Sequence, residues 1–198
     1  MFSRKTSIVW VGLLFLSGMF LMGQDTWDLS SPTPKTVFLS WQEVTGNIGG
    51  VAEADQICQD EADDNGLSGT YMAWISDSTS SPDTRFTKNG EPYQLPGGQI
   101  VADDWEDLTD GELGYTITQY ADGLSSPWGP EVWANTLYNG IAANTEGDPL
   151  LDSCNNWTIG TSPAGAYTGL GSTIGNVLWS NRIDHRCDVW GNLYCFQQ

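Results

Sequence analysis

Two of the chain's four cysteines, Cys187 and Cys195, fall close together near the C-terminus, in the run N-R-I-D-H-R-C-D-V-W-G-N-L-Y-C-F of residues 181–196. The other two, Cys58 and Cys154, lie far upstream in separate segments. If all four pair between segments, this terminal ribbon is the clasp for everything before it. Four cysteines allow three connectivities, and the residues by themselves leave all three open.

Such staples matter because the rest of the chain is loop-rich. It has 23 glycines among 198 residues, only 16% charged residues, and 39% hydrophobic ones, enough for one core and so for a single domain. Ten Trp, seven Tyr and six Phe make that core aromatic. The 25 acidic and 7 basic residues give a formal charge of −18. Without Arg4 and Lys5 the balance is 25 − 5, or −20. A surface of that sign repels phosphate backbones, heparin-type polyanions and anionic membranes, so nucleic acid is not an expected partner.

Residues 1–23 begin M-F-S-R-K-T-S and continue into an apolar stretch at 8–22, the pattern of a signal peptide. The small-residue pattern near Gly23 is poor, and an N-terminal membrane anchor is the alternative. Only with an uncleaved leader is the membrane a partner. The expected location is secreted, extracellular or at the cell surface, where disulfides form and persist. Residues 24–36 contain S-S-P-T-P-K and read as a Pro/Ser linker, leaving 37–198 as the domain.

Within it, V-F-L-S at 37–40 is a short buried strand. After the glycine turn T-G-N-I-G-G, Val51, Ala54, Ile57, Cys58 and Ala62 recur at helical spacing, and Gly66 supplies a C-terminal stop. Cys58 therefore belongs to the inward face. The run T-Y-M-A-W-I-S at 70–76 reads as a central strand. Tyr93-Gln94-Leu95 and Ile100-Val101 read as short strands divided by Pro96-Gly97-Gly98. Residues 103–113 predict a helical turn ending at Gly111, and residues 114–176 predict a long loop region with aromatic anchors. No fixed-period repeat occurs.

The run T-G-N-I-G-G-V-A-E-A-D-Q-I-C-Q, then G-L-S-G-T-Y-M-A-W-I-S-D-S, V-W, C-N-N-W-T and the terminal C-x7-C resembles the endostatin-like branch of the C-type-lectin-like fold. The nearest likeness is to bacterial secreted domains of unknown function in that branch, and it covers about residues 37–198. The resemblance implies an α+β domain of short, twisted antiparallel strands with one main helix and a long loop region. It also implies nested disulfides, Cys58 with Cys195 and Cys154 with Cys187.

Animal endostatins on this scaffold carry a histidine-rich zinc site and a basic heparin-binding face. This chain has one histidine, His185, and no basic patch, so neither property transfers. Lectins of the fold bind calcium through oxygen-rich loops. The matching positions are Asp148 in D-P-L, Asp152 before Cys154, Asn181 in W-S-N, and Asp184 before Cys187. The match is partial, because Leu150 offers no oxygen and Asn181 is displaced by one position. No cofactor is expected, with calcium as the one candidate ion. The other acidic runs, at 60–65 and 103–112, lack EF-hand spacing and read as solvated faces.

Catalysis finds no signature. No G-x-S-x-G elbow accompanies His185, all four cysteines read as structural, and no two carboxylates are marked as a pair across a cleft. The chain is therefore read as a non-enzyme. Among the tryptophans, Trp133, Trp157 and Trp179 read as core, while Trp128, between S-S-P and G-P, reads as exposed. With Asn181 and Asp184 it is a candidate ligand contact, and Trp190 is a further aromatic that could stack on a sugar. The expected function is a secreted binding or adhesion module recognising a glycan or a surface protein through the loop region 114–176. A calcium-dependent lectin and a secreted polysaccharide or cell-wall hydrolase are the alternatives.

Overall fold

The computed structural model describes residues 32–127, 129, 131–143, 153–161, 168–172, 179–180 and 183–198, and the side chains of 168–172 and 183–184 are not among the described features. The protein is a mixed α+β structure with a small five-stranded sheet, few helices and two disulfides.

The elements in order are β1 (Lys35–Leu39), α1 (Val51–Asp64), β2 (Tyr71–Ala73), α2 (Pro82–Arg85), β3 (Tyr93–Gln94), β4 (Ile100–Ala102) and α3 (Trp105–Leu108). They continue with β5 (Glu131–Trp133), α4 (Cys154–Trp157), β6 (Thr168–Ser172), β7 (Ile183–His185) and β8 (Tyr194–Gln197). The main sheet has the order β2-β8-β1-β3-β4, and β5-β6-β7 form a second, three-stranded sheet. The C-terminal strand β8 is thus inserted between β1 and β2, antiparallel to both. That is how the chain's last residues close the domain. The strands are not all antiparallel as expected: β1 and β3 pair in parallel. β1 begins at Lys35, so its first two residues come from the span read as linker.

Both faces of the main sheet are covered, and strand periodicity sorts the residues between them. Phe38, Tyr71, Ala73, Ile75 and Cys195 point to one side, where Val51, Ala54, Cys58 and Ala62 of α1 pack. Val37, Leu39, Trp74, Tyr194 and Phe196 point to the other, into an aromatic layer with Phe86, Trp105 and Trp179. The helical spacing read from the sequence therefore identifies the buried stripe of α1, with Ile57 at its margin. Past Asn65, Gly66 adopts φ +70° and Leu67 N–H returns to Ala62 O at 2.9 Å, a glycine-terminated end of the expected kind.

Residues 70–76 are a correction. The run is buried on both faces, yet β2 lies at the edge of the sheet, not its centre. Its open side is satisfied by side chains instead of a strand. Gln59 Oε1 accepts Tyr71 N–H and Asp55 Oδ1 accepts Ala73 N–H, both at 2.9 Å. Arg85 grips Asp55 through both carboxylate oxygens, at 2.9 and 2.7 Å, and donates to the carbonyls of Ala73 and Ile75. Burial pushes the Asp55 carboxyl above its ordinary range despite this guanidinium. Edge pairing by another chain is thereby blocked.

The disulfides are Cys58–Cys195, spanning 137 residues, and Cys154–Cys187, spanning 33. The first ties α1 to β8, and the second ties α4 to the segment before the terminal turn. All four residues of α4 have positive φ, from 49° to 64°, so it is a single left-handed turn. Such backbone is costly for Cys154 and Trp157. It is held by the disulfide, by Trp157 Nε1–H to Ser76 O at 2.8 Å, and by the carbonyl of Trp157 accepting Gly49 N–H at 2.8 Å and Gly50 N–H at 3.2 Å. Gly46 is required beside it, because a Cβ there would collide with the sulfur of Cys154.

Candidate functional site

Most of the tryptophans described are interior. Trp133 and Trp157 have no solvent exposure, and Trp179 is 1% exposed, as their sequence contexts suggest. Two are not. Trp41 is 69% exposed and Trp190 is 63% exposed, and both line one cleft. Burying or shielding an indole is ordinarily favourable, so two uncovered ones on one cleft make it the candidate site.

Three chain segments build this cleft. The first is the exit of β1. Ser40 is buried and pinned by four hydrogen bonds: its N–H to Leu193 O, its Oγ accepting Leu193 N–H and donating to Gln42 O, and its carbonyl accepting the Asn192 side chain. The chain then turns outward at Trp41, where Glu61 from the last turn of α1 takes both following amides. Its Oε2 accepts Trp41 N–H at 2.7 Å and its Oε1 accepts Gln42 N–H at 2.8 Å. Burial in this position raises the Glu61 carboxyl above its ordinary value, outweighing the two amides that favour its charge.

The second segment is a tight turn at 120–124, closed by Tyr120 N–H to Leu124 O at 2.8 Å and Gly123 N–H to Tyr120 O at 2.9 Å. Gly123 takes φ +84°, which a turn of this kind asks of a glycine. Leu39 N–H donates to Gln119 O at 2.7 Å, which sets Tyr120 beside Trp41 with ring centroids 4.7 Å apart at 68°. The third segment carries Trp190. Val44 and Gly191 exchange hydrogen bonds at 2.8 and 2.9 Å, and Asn192 N–H donates to Glu131 O at 2.7 Å. A Cβ on Gly191 would lie 3.1 Å from both Glu131 O and Trp133 Cδ1, so this close seating needs glycine or nearly so.

Two open depressions meet at Trp41. One, of about 340 Å³, lies between Trp41, Tyr120, Glu61 and Asp122. The other, of about 470 Å³, is lined by Trp41, Tyr120, Pro127, Gly129, Glu131 and Trp190. A broader shelf joins Trp41 to Trp190 across Gln42 and Glu43. The arrangement offers flat apolar plates with hydrogen-bonding and anionic groups at the rim, and among the described residues no lysine or arginine lines any of the three.

The residues singled out from the sequence fare differently. Trp128, Asn181, Asp148 and Asp152 lie outside the described residues, and of Asp184 only the backbone position in β7 is described. Among the described residues, no group of three or more His, Cys, Asp or Glu could hold a metal ion. His185 is half-buried, its Nε2 3.9 Å from Glu131 Oε1. In the C-N-N-W-T run, the Asn156 side-chain oxygen accepts Ser78 N–H at 3.0 Å, so this amide is structural. No helix among the described residues is long and apolar enough to cross a membrane.

Sequence reasoning missed Trp41. It directly follows a buried strand and looks like part of it, yet it falls one residue beyond Ser40, where Gln42 and Glu43 already announce solvent. For Trp190, a stacking aromatic by its sequence, the turn context D-V-W-G-N is the usable signal. In comparisons with known proteins, no family model matches the chain and no curated protein shows significant similarity to it.

Proposed function

We propose that the protein is a secreted, non-catalytic binding or adhesion module that captures a glycan on the Trp41–Tyr120–Trp190 cleft. The observation that carries this reading is the pair of largely exposed indoles, held by the Ser40 and Glu61 hydrogen bonds on one side and the Val44–Gly191 pair on the other. Pyranose rings present C–H faces that stack on such plates, and their hydroxyls suit the carboxylates and amides around them. Rings held by backbone anchors lose little freedom on binding. A C-type-lectin-like, endostatin-like scaffold is part of this proposal. Its support is the nested disulfide pair, the one long helix among the described residues and the C-terminal strand closing the sheet. Export is supported by two disulfides, which persist in oxidising compartments.

Among the described residues, the loop region 114–176 contributes one wall, through Tyr120, Ser126, Pro127, Gly129 and Glu131, while the other walls come from the exit of β1 and the terminal turn. Screening the intact protein on a glycan array tests the reading. Retention of one glycan class that disappears in both Trp41→Ala and Trp190→Ala is expected. Absence of any retained glycan, or retention unaffected by both substitutions, sinks it, and hydrolysis of a retained glycan would overturn the non-catalytic assignment.

A further inference from the structure

The charge around the cleft narrows the glycan class, resting on the reading above. Glu43 and Glu131 stand beside the indoles, and Glu61 and Asp122 border the Tyr120 side. The described lysines and arginines are all engaged with acids elsewhere: Lys35 with Glu91, Arg85 with Asp55, Lys88 with Asp83, and Arg186 with Asp188. None of these four lines the cleft, whose described rim carries carboxylates and the negative faces of three aromatic rings.

We propose that this cleft takes an amino-sugar oligomer with free ammonium groups, a deacetylated hexosamine chain, in preference to neutral, N-acetylated or acidic glycans. The two halves of that ligand match the two halves of the site. Its pyranose faces cover Trp41 and Trp190, which are 69% and 63% exposed, and its ammonium groups meet Glu43 and Glu131 at the rim. An ammonium near the face of an indole gains a cation–π term as well. N-acetylation removes the charge that those carboxylates would pair, and sulfation or carboxylation brings like charge against them. A lysine-rich peptide shares the ammonium but lacks the flat apolar ring, and so uses only half of the site.

Titration calorimetry on the intact protein with four probes of equal length decides it: glucosamine, N-acetylglucosamine, glucose and lysine oligomers. The glucosamine oligomer should bind at least about tenfold more tightly than each of the others, equivalent to about 1.4 kcal/mol. That margin should shrink between about 20 mM and about 500 mM salt as the rim charges are screened. The double variant Glu43→Gln, Glu131→Gln should lose most of the preference and keep its fold by circular dichroism, whereas Trp41→Ala should lose binding to the sugar. Equal or tighter binding of the acetylated or glucose oligomer overturns this inference and leaves the glycan reading standing. Binding of none of the sugars overturns both. Lysine oligomers binding as well as glucosamine, or glucosamine binding untouched by Trp41→Ala, reduces the effect to general attraction of polycations by an acidic protein and overturns the inference as well.

Discussion

Two aromatic groups of nearly the same ring spacing live in opposite surroundings. In the interior, Trp74 has Trp179, Phe196, Phe86 and Trp105 at centroid distances of 4.7, 5.4, 5.8 and 5.9 Å, and none of its surface meets water. At the surface, Trp41 has Tyr120 at 4.7 Å and remains 69% exposed. Ring contact is thus common to both, and the difference is how many neighbours complete the shell. The interior group stabilises the sheet by removing aromatic area from water. The surface group leaves that gain unrealised, and a ligand can collect it.

The largest effect should come from the interior. Trp74→Ala empties the centre of the aromatic layer and removes the Nε1–H that the Ser180 hydroxyl accepts at 2.9 Å, leaving that hydroxyl its bond to the Thr136 carbonyl. A loss of about 3–5 kcal/mol is expected, a large share of the total stability of such a domain. Denaturant titration measures it, and a change below about 1 kcal/mol would mean that the layer is not the stabilising region described.

The same interior should reveal itself at alkaline pH. Burial raises the phenols of Tyr71, Tyr93 and Tyr194, with Tyr93 pushed up to about 12. A phenol that stays protonated in the native state while the unfolded chain ionises near its ordinary value makes the native state the better proton binder. Stability therefore falls as pH rises above about 10, and for Tyr93 the fall continues to about 12 at about 1.4 kcal/mol per pH unit. Lys35, lowered by burial, works in the opposite sense just below 10.5, and one group does not cancel three. Melting temperature followed against pH, with phenolate absorbance recorded alongside, should show ionisation arriving together with unfolding. Smooth titration of all seven phenols near pH 10 in a folded protein would contradict the buried assignment of these three.

What the sequence disclosed follows the same division. Periodicity found the buried stripe of α1, and local context found Trp133, Trp157 and Trp179, because burial is a property of neighbours a few residues away in pattern. The edge position of β2 was not legible, since Y-M-A-W-I is apolar on both faces whether its open side meets a strand or, as here, Gln59, Asp55 and Arg85. The cleft was less legible still. Trp41, Tyr120 and Trp190 converge through bonds such as Leu39 to Gln119 and Val44 to Gly191, between segments that no local pattern connects.

Between the two groups stands Glu61, which belongs to α1 by sequence and to the cleft by its bonds. Glu61→Ala removes the acceptor of two backbone amides, and about 1–2 kcal/mol of stability should go with it. Affinity for the captured glycan should fall too, since Trp41 would no longer be held in its outward turn. An unchanged affinity would show that Ser40 alone positions the indole.

The smallest stability effect is expected at Trp41 itself. A side chain 69% exposed has little buried area to lose, and Trp41→Ala should leave stability within about 0.5 kcal/mol while removing glycan capture. Denaturant midpoints of the parent and the variant, read beside their binding isotherms, make the contrast with Trp74→Ala direct. The reverse pattern, a large stability loss at Trp41 with binding retained, would place this indole with the interior group and dissolve the distinction, because its exposure would then hide a packing role that Tyr120 and the β1 exit share.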